Sequence, residues 1–500
     1  MRPLATTVDP MHTNDRHSLE VPLLSQPQPQ QQQQQHDDEE ERTAAYSPLR
    51  NRNIRVTLIY TLLSFAGRSL WSQSVLSTFV YLLQNNDAKA VGFITAAMGL
   101  SQFLSSFPAG ILADRYRRDR ILKLASFVGL VAIGLTYIAV LAKRSYIWLT
   151  VALSVWGVFW GIAGTSTGAL FADSIKHGER SEYFTKRAIL VRVGNMVGPA
   201  SALILFAVLG DEWTIQDCAI VMAVGNGLCV PAVLLLCFLS DDLGEDKEDE
   251  AASGGATGSL STDETVLLVD RERREQEEAT RFCCRLPKHR ITPILVCIAD
   301  VISGLALGMS VRYFPIFFLD NLNMTPVVVQ LLYLLPSLGQ AVLMHFGQVW
   351  AMSNGRCHTA VLYRWTEIAF MFSMMAAYYW NLPNWLVCVF YILRTSFTSS
   401  TAALTKSILM DAVPKEERGK WISLESVNKF GWSGSAVLGG ILVGSQGILF
   451  NFGVTASLQF VATLPLLALL SHDGVEGRTV HPRTTSRSSS VDDESDANTV

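Results

Sequence analysis

The feature that most constrains this chain is a run of apolar blocks, each about twenty residues or longer, recurring from Ile54 to Leu470. A helix needs about 20 apolar residues to cross the hydrocarbon core of a bilayer, and water does not tolerate so much apolar surface. The composition is 49% hydrophobic and 17% charged even though the chain carries long polar tails. A soluble globular enzyme and a nucleic-acid binder are excluded on that ground. The net charge of −4 says little, because the charges sit in segregated regions. Cys218, Cys229, Cys237 and Cys388 lie in apolar segments, and none of the eight cysteines has metal-ligand spacing. Neither a disulfide scaffold nor a metal site is expected, and no cofactor is indicated.

The expected fold is all-α, a polytopic membrane protein of twelve spans, because a backbone in lipid must satisfy its own hydrogen bonds. The spans are read at 54–83, 88–113, 121–142, 146–172, 187–209 and 218–239, then at 291–319, 327–351, 357–380, 385–410, 421–444 and 448–470. Residues 1–53 and 471–500 read as disordered tails, the first with a glutamine run over 30–35. Residues 240–290 read as an acidic, Gly/Ser-rich linker between an N-terminal half (54–239) and a C-terminal half (291–470). Basic residues crowd one set of short loops, while the other set carries only Lys89, Lys143 and Arg144. The crowded side is expected to be cytoplasmic, with both termini on it. The linker contains an acidic dileucine pattern, Asp263 with Leu267-Leu268, and a juxtamembrane pair, Cys283-Cys284.

A repeat at an offset of 238 residues supports the two halves. Asp173, Glu179 and Arg180 follow span 4, and Asp411, Glu417 and Arg418 follow span 10 with the same spacing. A weaker echo links residues 79–85 at the end of span 1 with 315–321 at the end of span 7. Two related six-helix halves suggest a transporter with its site at the midplane between them.

Gly110-Ile-Leu112-Ala113-Asp114-Arg115-Tyr-Arg117-Arg118 joins spans 2 and 3. It resembles the signature loop of the major facilitator superfamily, with Arg117 in place of the usual second glycine. The resemblance covers about residues 54–470 and implies solute transport without naming the solute. It implies a cytoplasmic gate in which Asp114 faces a helix N-terminus of the other half, and Arg115 and Arg118 pair with acidic groups there. Asp173, Glu179, Arg180, Asp411, Glu417 and Arg418 would form pseudo-symmetric gate pairs. Gly194, Gly198 and Pro199 in span 5 resemble the motif of the drug–proton antiporter branch, although Ala202 and Leu203 replace its closing glycines. Gly110, Gly194 and Gly198 are expected to let helices approach closely, and Pro199 to kink span 5.

An ionisable group deep in a span costs roughly 2.5–3.5 kcal/mol on insertion scales and is by default a functional candidate. Arg68, Arg312 and Arg394 lie in spans 1, 7 and 10, which the resemblance implies line the central cavity. A guanidinium fork suits an anionic or zwitterionic substrate. Asp300 and Arg312 are twelve residues apart in span 7, roughly 18 Å of rise, so each needs another partner. Asp300 is the expected proton carrier, with Glu367, Glu425 and His345 behind it. Arg364/Glu367 and Glu425/Lys429 have the spacing of local helical pairs. No phosphate-cradling Gly-x-x-x-x-Gly-Lys-Ser/Thr loop is present. The chain thus reads as a proton-coupled secondary transporter of a small organic solute and not an enzyme. A non-transporting membrane sensor or accessory protein on a transporter fold is the alternative. The expected partners of the chain are a small-molecule substrate, the lipid bilayer and protons, with no nucleic acid, in a monomer. The plasma membrane is the expected location, with a vacuolar or lysosomal membrane as alternative.

Overall fold

The computed structural model describes residues 51–175, 180–241, 288–412 and 418–470; at some of these, among them Asp114, Arg180, Asp411 and Arg418, it describes the backbone alone. The tails, most of the linker with its two motifs, and Glu179 and Glu417 lie outside the described residues. Secondary structure among the described residues is helical, without strands.

Twelve spans are present. Span 1 is Arg52–Ser72 continued by Val75–Leu83, and span 2 is Ala88–Arg115. Span 3 is Arg118–Tyr137 with a π-helical last turn, Ile138–Lys143, and span 4 is Tyr146–Asp173. Spans 5 and 6 are Arg180–Leu209 and Ile215–Leu235. Span 7 is Lys288–Val311 continued by Phe314–Ile316 and a π turn, Phe317–Asn321. Spans 8 to 12 are Pro326–Asn354, Arg356–Tyr379, Asn384–Ala412, Arg418–Gln446 and Ile448–Leu470. Span 5 starts at Arg180, earlier than its apolar stretch suggests, because a helix continues into its polar first turn. Eight of these segments are long and apolar enough to cross a membrane by composition. The other four, spans 1, 9, 10 and 11, carry charged residues.

The six turns on the face remote from Arg115–Arg118 are tight. Each reverses through a left-handed residue: Asn85 and Asn86, Arg144, Asp211, Asn323, Asn381 and Gly447. Asn, Asp and Gly tolerate that conformation best. Side chains cap the helices that follow, with Asp87 accepting from the Lys89 N–H at 2.9 Å and Thr214 from the Asp217 N–H at 3.0 Å.

Within the first half, span 1 packs on spans 5 and 6, and span 4 on spans 2 and 3. In the second half, span 7 packs on spans 11 and 12, and span 10 on spans 8 and 9. Span 2 against span 11 and span 5 against span 8 join the halves. Small residues set these distances, since helices in lipid associate through close packing. A Cβ on Gly194 would lie 2.8 Å from the Phe65 Cβ and 3.0 Å from the Leu62 carbonyl. One on Gly198 would overlap the Ser69 hydroxyl and the Leu70 backbone nitrogen. The Ser69 hydroxyl donates to the Gly194 carbonyl at 3.0 Å. Span 5 continues as one helix through Pro199. Gly110 differs from the packing role expected of it: a Cβ there would have no atom within 4 Å. It lies near the end of span 2.

Spans 1 and 7 are interrupted at related places, after Ser72 and after Val311. Ser74 and Arg312 at these breaks differ by the same 238 residues as the repeat. The breaks face each other: the Arg312 guanidinium donates to the Ser72 carbonyl. Such an interruption within the membrane is tolerated where protein covers it.

The packing predicts opposite results at two glycines. Gly198→Leu should overpack span 5 against span 1 and cost about 1–3 kcal/mol, seen as a lower melting temperature in detergent. Gly110→Ala should leave that temperature unchanged or raise it slightly. Equal destabilisation by the two would contradict this packing.

Candidate functional site

A cavity of about 140 Å3 lies at the paired breaks. Its walls include Gln73 from span 1, Phe314 from span 7, Tyr333 and Gln340 from span 8, and Tyr391 and Arg394 from span 10. Aromatic faces form much of the wall. The Phe314 and Tyr391 rings are 4.9 Å apart between centroids, and Tyr333 lies 6.3 Å from Tyr391.

Arg394 is only 2% exposed. Its guanidinium carbon stands 5.1 Å over the Phe314 ring, a cation–π contact. One terminal nitrogen is 3.6 Å from Glu367 Oε1 in span 9. That nitrogen and Nε make no hydrogen bond. Glu367 accepts from Gln459 Nε2 of span 12 at 2.5 Å. Arg364, one helical turn before Glu367, instead reaches Asp300 of span 7 at 2.8 Å. The local Arg364/Glu367 pair expected from spacing is therefore not formed. Both side chains point into the bundle, where partners on neighbouring helices offer better geometry. The side chains of Glu425 and Lys429 lie outside the described residues.

The other two arginines expected at the site differ in setting. Arg68 lies with its guanidinium carbon 3.8 Å from the Trp160 ring centroid. Trp160 stacks with Trp71 and Trp156 at 6.2 and 5.3 Å. Arg312 is 5% exposed and engaged across the halves, on the Ser72 carbonyl and 5.5 Å from the Trp432 ring. Of the three, Arg394 is the one in the cavity wall. Asp300 stands apart from that wall and is held by Arg364.

At the basic end, Arg118 and Asp173 meet in an ion pair. Both belong to the first half, whereas the signature loop implied pairing with the second. Asp119 holds Arg117 at 3.1 Å and Lys123 at 3.5 Å, which orders the turn between spans 2 and 3. Arg115 is exposed. The side chains of Asp114, Arg180, Asp411 and Arg418 lie outside the described residues, as do Glu179 and Glu417 entirely.

The opposite end carries contacts that the sequence reading did not anticipate. Tyr81 donates to the Asp320 carboxylate between spans 1 and 7. Gln330 of span 8 donates to the Ser74 hydroxyl at 2.8 Å. The Val327 N–H donates to Asp211 at 2.8 Å, and the Trp213 indole to the Met324 carbonyl at 2.9 Å. Each of these bonds joins the two halves. The echo between 79–85 and 315–321 contains Tyr81 and Asp320, and was the available signal for the first. Glu367 was a secondary candidate, and nothing in the sequence pointed to Gln459, Tyr333 or Tyr391.

The sequence matches the family model described as the Major Facilitator Superfamily over residues 57–283 and 296–493. No curated protein matches it. A solved bacterial homologue of the iron transporter ferroportin, in an inward-facing state, is 14% identical and covers 83% of this chain and 98% of its own, with a TM-score of 0.61. Such a homologue in an outward-facing state is 12% identical and covers 84% and 100%, with a TM-score of 0.51. A D-xylose–proton symporter is 14% identical and covers 83% and 96%, with a TM-score of 0.61. Identities this low show a shared fold and leave cargo open. The chain belongs to the Major Facilitator Superfamily, as a multi-pass integral membrane protein with the transporter fold of that family.

Proposed function

We propose that the protein is a secondary transporter that moves a small organic solute by alternating access, with a preference for anionic or zwitterionic cargo. The observation that carries this reading is Arg394: a buried guanidinium with unused donors, in the wall of a cavity between two helical halves. A permanent charge in a span is expensive, and a cargo that neutralises it on binding offers one reason to keep it there. Arg68 and Arg312 add positive potential, and we assign Arg312 the second duty of joining the halves.

Positive residues crowd the end that holds Arg115 and Arg118, and we read that end as cytoplasmic. The hydrogen bonds of Tyr81, Gln330, Asp211 and Trp213 then form an outer gate, closed in this conformation. The higher score against the inward-facing ferroportin homologue, 0.61 against 0.51, supports an inward-facing reading. Asp114, Arg115, Arg118, Asp173, Glu179, Arg180, Asp411, Glu417 and Arg418 constitute the proposed inner gate. Proton coupling is assigned to Asp300, whose Arg364 partner must release it for a proton to be taken up. Antiport is the finer reading that Gly194, Gly198 and Pro199 favour.

Flux into proteoliposomes, measured across a panel of labelled metabolites, tests transport itself. Background flux for the whole panel would leave the fold without this activity. Given a transported solute, Arg394→Gln should lower kcat/KM by about thirty-fold, in keeping with the loss of a charged hydrogen bond. Asp300→Asn should keep counterflow exchange while abolishing accumulation driven by a pH gradient. Unchanged accumulation would remove Asp300 from the coupling step. Finally, Ser74→Cys with Gln330→Cys, bridged by a short bifunctional thiol reagent, should stop flux, and a cleavable reagent should restore it on reduction. Undiminished flux in the bridged protein would show that this end need not open.

A further inference from the structure

We propose that the Arg394 end of the cavity is a carboxylate-binding site. The solute is an organic acid with an apolar or aromatic body, and Glu367 is the resident anion that the solute's carboxylate displaces from Arg394. This rests on the transport reading above and narrows its cargo.

The Arg394–Glu367 pair is unevenly satisfied. At 3.6 Å it is an ion pair but too long for a good hydrogen bond. The same Glu367 oxygen, Oε1, already accepts from a second partner, Gln459 Nε2, at 2.5 Å. The guanidinium keeps Nε and the terminal nitrogen nearest Glu367 unbonded, although it is 2% exposed. A buried charged donor without an acceptor is costly. An anionic oxygen pair brought to these nitrogens as Arg394 parts from Glu367 removes that cost, because the guanidinium fork matches two carboxylate oxygens in one plane.

The surroundings favour a carboxylate over a phosphate. Among the described residues, Arg394 is the single cation in the cavity wall. Arg312 is committed to the Ser72 carbonyl and Arg68 lies on Trp160 in the other half. A phosphate dianion at this spot would face one positive charge already shared with Glu367. A monocarboxylate matches it. The Tyr391 hydroxyl stands beside those of Tyr333 and Thr395, which supplies neutral donors without further charge. Phe314 under the guanidinium and the Tyr333 and Tyr391 rings give the wall aromatic faces, Val311 and Pro336 add aliphatic ones, and Gln73, Ser337 and Gln340 add neutral polar groups. A volume of about 140 Å3 accommodates the acid group and a modest body, equal to the liquid volume of about five waters.

Glu367 has a distinct role in this arrangement. It holds Arg394 in the empty carrier and competes with the cargo for it. Removing its charge should therefore strengthen binding, which a merely structural role would not do.

The test is calorimetric titration of the full-length protein in detergent with benzoate, hexanoate and indole-3-acetate, each beside its uncharged amide, and with inorganic phosphate. At least one acid should bind about ten-fold or more tightly than its amide and than phosphate. Arg394→Gln should weaken that acid by about thirty-fold, and Glu367→Gln should tighten it by about five-fold. If Glu367→Gln fails to fold, Glu367→Asp, whose shorter carboxylate draws back from Arg394, should tighten it in the same direction. Failure of all three acids to bind overturns the proposal. So does equal binding of acid and amide, preference for phosphate, indifference to Arg394→Gln, or weakening by the Glu367 variants. Acid binding without any flux would sink the transport reading and leave this site standing. Flux of a neutral solute without acid binding would do the reverse.

Discussion

The contact on which the arrangement turns is the hydrogen bond from the Arg312 guanidinium to the Ser72 carbonyl. It joins the first helix of one half to the first helix of the other, at the point where both are interrupted. Within a bilayer no water relieves a loosened helix turn, so an interruption must be covered by protein. Two related breaks facing one another meet that demand together. Their meeting draws spans 1 and 7 close on one side and leaves space toward spans 8 and 10. Gln73, Phe314 and Arg394 border that space, so the cavity is a by-product of how the breaks are covered.

Charge follows the same geometry. Spans 9 and 10 carry Arg364, Glu367 and Arg394 into apolar surroundings, and each finds a partner on another helix. Asp300 and Gln459 extend the network to spans 7 and 12. Four of the six helices of the second half are thereby linked through polar side chains. The first half has a different character: its centre is the Trp71, Trp156 and Trp160 stack with Arg68 against it. The second half combines buried ion pairs with its aromatic contacts, whereas the middle of the first half rests on the tryptophan stack and a lone arginine against it. A change in the ionic state of a cargo or a side chain therefore acts first on the second half.

Much of the fold was legible in the sequence because hydrophobic length is a local property. Span count, turn positions and the two-half organisation follow from apolar runs, basic loops and the repeat at Asp173 and Asp411. The breaks at Ser72 and Val311 leave only short marks, the polar triplet Ser72-Gln73-Ser74 in span 1 and Pro315 at the start of the short helix after Val311, and neither is strong enough alone to separate a break from a continuous span. The partners of Arg364 and Glu367 were misread for a related reason. Spacing along one helix shows which residues share a face, and it does not show what that face meets. Arg68, Arg312 and Arg394 looked alike as intramembrane cations, yet one rests on an indole, one ties the halves and one borders the cavity. The signature loop marked the family through Asp114 and Arg118, while the cross-half bonds that hold the opposite end carry no comparable motif.

The tight turns of that opposite end limit what a binding partner can grip there. Asn85, Asp211, Asn323 and Asn381 reverse the chain within a few residues, so a partner meets corners instead of loops. Asp211, Trp213 and Met324 at those corners are already bonded across the halves. An antibody fragment or toxin gripping this surface would therefore touch the residues that separate, in the proposed transport cycle, when this end opens. It would sense the conformational state of the molecule, and by holding one state it would arrest the cycle without entering the cavity.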